Sequence, residues 1–280
     1  MLAKIIDGKE IAAAITGEVR AEILKLGLTP VLGVVLVGDD PASHLYVGLK
    51  KKACAEVGIG FELRLLPADA GEDRVLAALE ELNRSDKIDA ILIQMPLPKP
   101  LDAGLIIDRL HPAKDVDGFH PLTVEQHVAG SGSHEPVLVG SIMALINETG
   151  APLRGKTAVV VANSQVFYEP LAKSLSDAGL SPSFVQSAEA DVTDKTRQAD
   201  ILIVTVGKPG FITAEMVKPG AVVVDVGTTK VGRKTVGDVA PSVCAVAGFI
   251  TPVPGGVGPV TVAMLLRNTL ELAKRRRSSK

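Results

Sequence analysis

The chain has 280 residues, room for one large or two small domains, and 46% of them are hydrophobic although only 3% are aromatic and none is tryptophan. Its cores must therefore be aliphatic, as in parallel sheets covered by helices. A formal net charge of -2 offers no global attraction for nucleic acid or an anionic membrane, and no apolar run is long enough to span a bilayer.

Cys54 and Cys244 match no metal-ligand spacing and sit in apolar surroundings, so buried thiols and no metal are expected. The N-terminus lacks the apolar segment of a signal peptide, and a cytoplasmic protein is expected. The basic end Lys274-Arg275-Arg276-Arg277 reads as a solvated terminus that compensates a helix dipole.

A short strand is predicted over Ala3 to Ile6, then a turn at Asp7-Gly8-Lys9. Ile11, Ile15, Val19, Ile23 and Leu26 recur at helical spacing, giving a helix from Glu10 to Leu26. Val31 to Val37 is a continuous apolar strand. Asp40-Pro41 then opens a helix, a capping residue followed by a proline whose missing N–H costs nothing there. On that helix Tyr46 and Lys50 stand at i and i+4, so a phenol and an amine share one face. Burial can bring a lysine toward neutrality, which makes the pair a candidate acid/base site. The helix stops near Gly58-Ile59-Gly60.

Phe61 to Leu66 reads as a strand, Asp73 to Asn83 as a helix and Ile88 to Gln94 as a buried strand. Gln94 runs into Met95-Pro96-Leu97-Pro98-Lys99-Pro100, which can continue neither as strand nor as helix. Strands alternating with helices imply a parallel α/β sheet, whose ligands gather beyond the carboxyl ends of the strands. A loop from His111 to Pro121 carries Lys114, Asp115 and Asp117, groups able to fix a polar ligand.

A flexible polar link is expected over Ala129 to Pro136, followed by a helix from Ser141 to Glu148 and a second α/β unit. Its strands are predicted at Lys156 to Ala162, Pro182 to Gln186, Ile201 to Val206 and Ala221 to Val226, with helices at Glu169 to Ala178 and Thr193 to Gln198. The pattern suggests a Rossmann-like nucleotide fold. Yet the loop after its first strand, Ala162-Asn163-Ser164-Gln165-Val166-Phe167-Tyr168-Glu169-Pro170, contains no glycine, and close approach of a pyrophosphate calls for one. Thr251 to Thr261 alternates proline and glycine, giving a rigid, closely approachable backbone before a final helix from Val262 to Ala273. That helix is expected to return to the first domain and to leave the loop in a cleft between domains.

Five stretches in order carry a resemblance: Val37-Gly38-Asp39-Asp40-Pro41-Ala42-Ser43 through Tyr46 and Lys50, Ile93 to Pro98, Lys114 to Gly118, Gly207-Lys208-Pro209-Gly210, and Thr251 to Pro259. With these the chain resembles the methylenetetrahydrofolate dehydrogenase–methenyltetrahydrofolate cyclohydrolase family over nearly its full length. The resemblance implies two α/β domains: a folate-binding catalytic domain of residues 1–135 plus 262–280, and a Rossmann-like domain of residues 136–261. It implies oxidation of 5,10-methylenetetrahydrofolate with NADP and hydrolysis of the methenyl product to 10-formyltetrahydrofolate, in a homodimer. It further implies Lys50 as general acid/base, Gln94 as its tuning partner, Tyr46 stacked on the folate and Asp117 anchoring the pterin. Pro252, Gly255 and Gly256 would wall the pocket, and Ala162, Asn163, Ser164, Ser187 and Thr228 would meet the cofactor.

The departures lie in the cofactor half. Tyr168 stands where the family has glycine, Glu169 where arginine is frequent, and Pro136-Val137-Leu138-Val139 replaces Pro-Cys-Thr-Pro. A carboxylate near phosphates repels them. The expectation is therefore a cyclohydrolase whose NADP-linked dehydrogenase activity is weakened or lost. The alternatives are an ordinary bifunctional enzyme and a non-catalytic folate-binding paralogue.

Overall fold

The structure, a computed structural model, describes residues 2–232 and 234–278. In chain order the first half holds β1 (Lys4–Ile5), α1 (Gly8–Leu26), β2 (Val31–Val37), α2 (Pro41–Val57), β3 (Gly60–Leu66), α3 (Glu72–Arg84), β4 (Ala90–Ile93), α4 (Ala103–Asp108), α5 (Pro121–Val128) and α6 (Val137–Glu148). The second half holds β5 (Thr157–Ala162), α7 (Tyr168–Asp177), β6 (Ser181–Gln186), α8 (Val192–Thr196), β7 (Ile201–Thr205), β8 (Val222–Asp225), β9 (Thr229–Val231), β10 (Lys234–Val236), β11 (Phe249–Ile250) and α9 (Val257–Ser278). Two compact units result: Ala13–Leu138 with Val262–Lys280, and Met1–Ala12 with Val139–Thr261.

In the first unit β2 lies between β3 and β4, all three parallel. Both faces of β2 are covered, which is why its sequence is a continuous apolar run rather than an alternating one. On one face Val35 and Val37 join Val75, Leu79 and Leu82 of α3 in a single core. Gly33 lets α3 come close: a Cβ there would sit 3.1 Å from the Leu82 side chain. The predicted face of α1 is buried at Ile11, Ile15, Val19 and Ile23, while Leu26 is exposed.

The basic end is a fastening rather than a solvated terminus. Arg276 Nη2 meets the carboxylate of fully buried Asp89 at 2.7 Å, and Asp89 also accepts from the Val31 N–H at 2.9 Å. Arg277 donates to the Thr29 carbonyl, and Lys274 pairs with Glu22 and Glu271. The polar link 129–136 is tied down as well. Ser131 N–H donates to the Gln126 carbonyl, Arg275 to the Gly132 carbonyl and the Asn268 amide to the Glu135 carbonyl.

The second unit contains a six-stranded sheet in the order β1-β11-β8-β7-β5-β6, all pairs parallel, and a separate β9–β10 hairpin. Its core is aliphatic, with Val161, Val185, Leu202, Val204 and Val223 all fully buried. This topology corrects the expected division of the chain. Residues 1–12 are expected in the first domain, but Lys4 and Ile5 pair with Phe249 and Ile250 and so belong with the second unit. The last helix also begins earlier than expected, at Val257 rather than Val262. Pro259 falls in its first turn, where an N–H has no helical acceptor, so proline is no obstacle there.

No helix among the described residues is long and apolar enough to cross a membrane. Replacing Arg276 with alanine leaves the buried Asp89 carboxylate short of its main cation. We expect a loss of about 2 kcal/mol, read as a lower urea midpoint. Asp89→Asn, which removes the buried charge and leaves only the partly exposed Arg276 cation, is expected to cost less, and equal costs would refute the assignment.

Candidate active site

Helix α2 starts where its sequence says it should. The Asp40 carboxylate accepts from the Ser43 N–H at 2.8 Å, Pro41 occupies the first turn, and Gly58 ends the helix with φ +87°. Val47, Cys54 and Val57 are buried along α2. Lys50 shares a face with Cys54 one turn later and Tyr46 one turn earlier. Tyr46 is 46% exposed, whereas the Lys50 side chain enters partly buried ground.

There Lys50 Nζ donates to Gln94 Oε1 at 3.0 Å. Gln94 follows the end of β4, is itself buried, and has its N–H on the Val35 carbonyl at 2.9 Å. Its amide nitrogen donates to the Met95 carbonyl at 2.6 Å, which turns Oε1 toward the lysine. Burial pulls the Lys50 ammonium below its ordinary value, and the fields of Asp117 and Cys54 oppose that pull. Burial likewise pushes the Asp117 carboxyl up to about 6, with Lys50 holding it down and Asp115 adding to the rise. The Cys54 thiol beneath them is pushed up to about 12, mainly by burial, and stays protonated at neutral pH.

The loop around Asp117 separates its charged residues into different tasks. Lys114 is spent on structure: its ammonium donates to the carbonyls of Leu82, Asn83 and Ser85 at 3.0, 2.6 and 2.8 Å, closing the end of α3. Asp115 accepts from the N–H groups of Gly118 and His120 at 3.1 and 2.8 Å and shapes the turn. Asp117 is the loop carboxylate left to act with Lys50. A Cβ on Gly118 would lie 2.8 Å from Pro136, so the loop packs tightly against the start of α6.

In the second unit the expected cofactor residues gather at the carboxyl edge of the six-stranded sheet. Ala162 is the buried end of β5 and pairs in register with Gln186, the end of β6. Asn163 spans three strand ends: its amide donates to the Val206 carbonyl at 2.7 Å and its carbonyl accepts from Ser187 Oγ at 2.6 Å. The Ser164 hydroxyl accepts from the Val166 N–H, and Thr228 is exposed beyond β8. Helix α7 opens at Tyr168, whose ring rests 5.5 Å from that of Phe184, with no side-chain cap and with Glu169 in its first turn.

Two carboxylates at this edge have no spacing signal in the sequence. Asp238, fully buried, accepts from the N–H groups of Val206 and Gly207 at 2.6 and 2.8 Å. Asp225 accepts from Gly227, Asp238 and Val239 at 3.0, 3.0 and 2.9 Å, and burial raises its carboxyl against those bonds. Together they hold the turns after β7 and β8. Pro252, Gly255 and Gly256 form a tight turn against the start of α1, where a Cβ on Gly8 would collide with the Gly256 carbonyl.

These groups suit a dinucleotide unevenly. Hydroxyls and amides at Asn163, Ser164, Ser187 and Thr228 fit sugar and carboxamide groups. The glycine-free loop and Glu169 fit phosphates less well.

Residues 6–117 match the family model of the tetrahydrofolate dehydrogenase/cyclohydrolase catalytic domain, and residues 136–277 match that of its NAD(P)-binding domain. The second match stands in spite of the glycine-free loop, so the doubt which that loop cast on a nucleotide site is not supported. A "Bifunctional protein FolD" from Geotalea daltonii is 46% identical over 98% of this chain and 100% of its own length. The solved FolD methylenetetrahydrofolate dehydrogenase/cyclohydrolase of Campylobacter jejuni is 39% identical, with a TM-score of 0.92 over 98% of this chain and 99% of that one. The Trypanosoma brucei enzyme, solved with NADP cofactor and inhibitor, is 35% identical, with a TM-score of 0.93 over 98% of both chains.

Asp117 is expected to titrate near pH 6 in carbon-13 NMR. In Lys50→Met its pKa moves further up, because burial remains while the attraction of the ammonium is lost. An ordinary value of about 4, unchanged by the substitution, would show that the two groups are not coupled.

Proposed function

Because the chain belongs to the tetrahydrofolate dehydrogenase/cyclohydrolase family, we propose that it interconverts one-carbon tetrahydrofolates, with hydrolysis of 5,10-methenyltetrahydrofolate to 10-formyltetrahydrofolate as its stronger activity. The observation that carries this reading is the Lys50–Gln94 hydrogen bond at 3.0 Å in partly buried ground. Neutral Lys50 accepts a proton from the water that attacks the methenyl carbon. It returns a proton to N5 as the carbon–N5 bond breaks, and the hydroxyl proton leaves to solvent as the formyl carbonyl forms. Gln94 fixes the direction of the lysine lone pair. Tyr46, on the same face of α2, stacks on the folate ring system, and Asp117 anchors the pterin. The assignment of Pro252, Gly255 and Gly256 to the pocket wall rests on the resemblance alone.

NAD(P) supplies a hydride acceptor for oxidation of 5,10-methylenetetrahydrofolate when bound. The residues proposed to hold it are Ala162, Asn163, Ser164, Ser187 and Thr228. We read this dehydrogenase activity as the weaker one, since Tyr168 is packed on Phe184 at the helix start and Glu169 brings negative charge to the first turn of α7. The two free cysteines suit a cytoplasmic setting.

Two assays test the reading. Decay of methenyltetrahydrofolate is expected to be brisk and to fall by about 10³-fold in Lys50→Met while folate binding persists. Oxidation of methylenetetrahydrofolate with NADP or NAD is expected to run slower than that hydrolysis. Oxidation as fast as hydrolysis restores the ordinary bifunctional enzyme, and no decay at all favours a non-catalytic folate binder.

A homodimer is the proposed assembly. Strand β3 is an edge of its sheet and exposes Leu63 and Leu65 at 38% and 53%, an apolar edge that a second copy would cover. Sedimentation of the native chain should give a dimer and Leu65→Glu a monomer. A monomeric parent protein removes this part of the proposal.

A further inference from the structure

We propose that the nucleotide site selects NAD over NADP and that Glu189 is the residue that sets the choice. The inference rests on reading residues 136–277 as a nucleotide-binding domain.

In a doubly wound sheet the adenosine ribose lies over the end of the second strand. A carboxylate there accepts from the 2′-hydroxyl, whereas a 2′-phosphate needs a cation. The corresponding strand here is β6, in register with β5 so that Ala162 faces Gln186. Glu189 stands three residues past its end and is held there: Oε1 accepts from the Gln186 N–H at 2.7 Å. Its own N–H donates back to the Gln186 carbonyl at 3.0 Å. The carboxylate is thereby fixed at the strand end instead of ranging through solvent.

The basic side chain paired with Glu189 does not compensate. Lys195 pairs with Glu189 and also with Asp191 at 3.2 Å, so it would have to leave two carboxylates to serve a phosphate. The segments Ala162 to Ala172 and Gln186 to Asp194 contain no lysine or arginine, but they contain Glu169, Glu189, Asp191 and Asp194. Asn163, the first residue beyond β5, is a neutral amide with its nitrogen on the Val206 carbonyl and its oxygen on Ser187. A 2′-phosphate carries nearly two negative charges. At this edge it meets carboxylates, whereas a free 2′-hydroxyl finds an acceptor in Glu189 and hydroxyl partners in Ser187.

Isothermal titration of the full chain with NAD and with NADP reads the choice without turnover. NAD is expected to bind at least about tenfold more tightly, with NADP gaining relative to NAD as salt screens the edge. Glu189→Arg is expected to move the ratio toward NADP by about tenfold or more, and Glu189→Gln by less. Tighter binding of NADP by the parent chain overturns the inference. So does a ratio that neither substitution moves. Absence of heat with both nucleotides, in protein that still hydrolyses methenyltetrahydrofolate, overturns it together with the nucleotide-domain reading on which it rests. The parent ratio decides the matter even if a variant fails to fold.

Discussion

The first unit turns on a partly buried ammonium. Lys50 gives up hydration, donates one hydrogen bond to a buried amide oxygen and feels one nearby carboxylate. Desolvation favours the neutral amine, and Asp117 favours the cation. Desolvation acting alone would make the lysine a weaker proton acceptor. With the carboxylate acting unopposed in water, it would remain a solvated cation. The balance requires Gln94 to be rigid, and its rigidity comes from its place at the end of β4, its N–H on the Val35 carbonyl and its amide nitrogen on the Met95 carbonyl.

That rigidity extends through the rest of the unit. β2 is buried on both faces and sets the level of β4, and with it Gln94. Lys114 closes α3 and Asp115 shapes the following turn, so the loop delivers Asp117 from fixed ends. The C-terminal helix is held by the Arg276–Asp89 pair, in which a fully buried carboxylate also bonds the first residue of β2. Charged residues here act mainly as fasteners between backbone segments.

The second unit uses carboxylates for a similar purpose. Asp238 and Asp225 point inward at backbone N–H groups and so define the turns after β7 and β8. The acidic residues beyond the ends of β5 and β6, Glu169 and Glu189, instead stand at the carboxyl edge of the sheet. A single edge of one sheet thus combines neutral amide and hydroxyl groups with several negative charges. Which part of a dinucleotide it accepts is then a matter of electrostatics as much as shape.

Local signals determined much of this protein from the sequence alone. Val31–Val37 could only be a doubly covered strand, Asp40-Pro41 and Gly58 bounded α2 through capping chemistry, and the i, i+4 spacing put Tyr46 and Lys50 on one face. Such features depend on neighbours within a few residues. Tertiary structure alone decided the rest. β11 is two residues long, too short for any periodicity, and exists because parallel partners on both sides satisfy its backbone groups. Lys114 and Asp117 look alike as loop charges until distant carbonyls claim one and Lys50 faces the other. Asp89 with Arg276, and Asp225 with Asp238, lie too far apart in the chain for any spacing to reveal them, since burial and pairing are properties of the folded interior rather than of sequence neighbours.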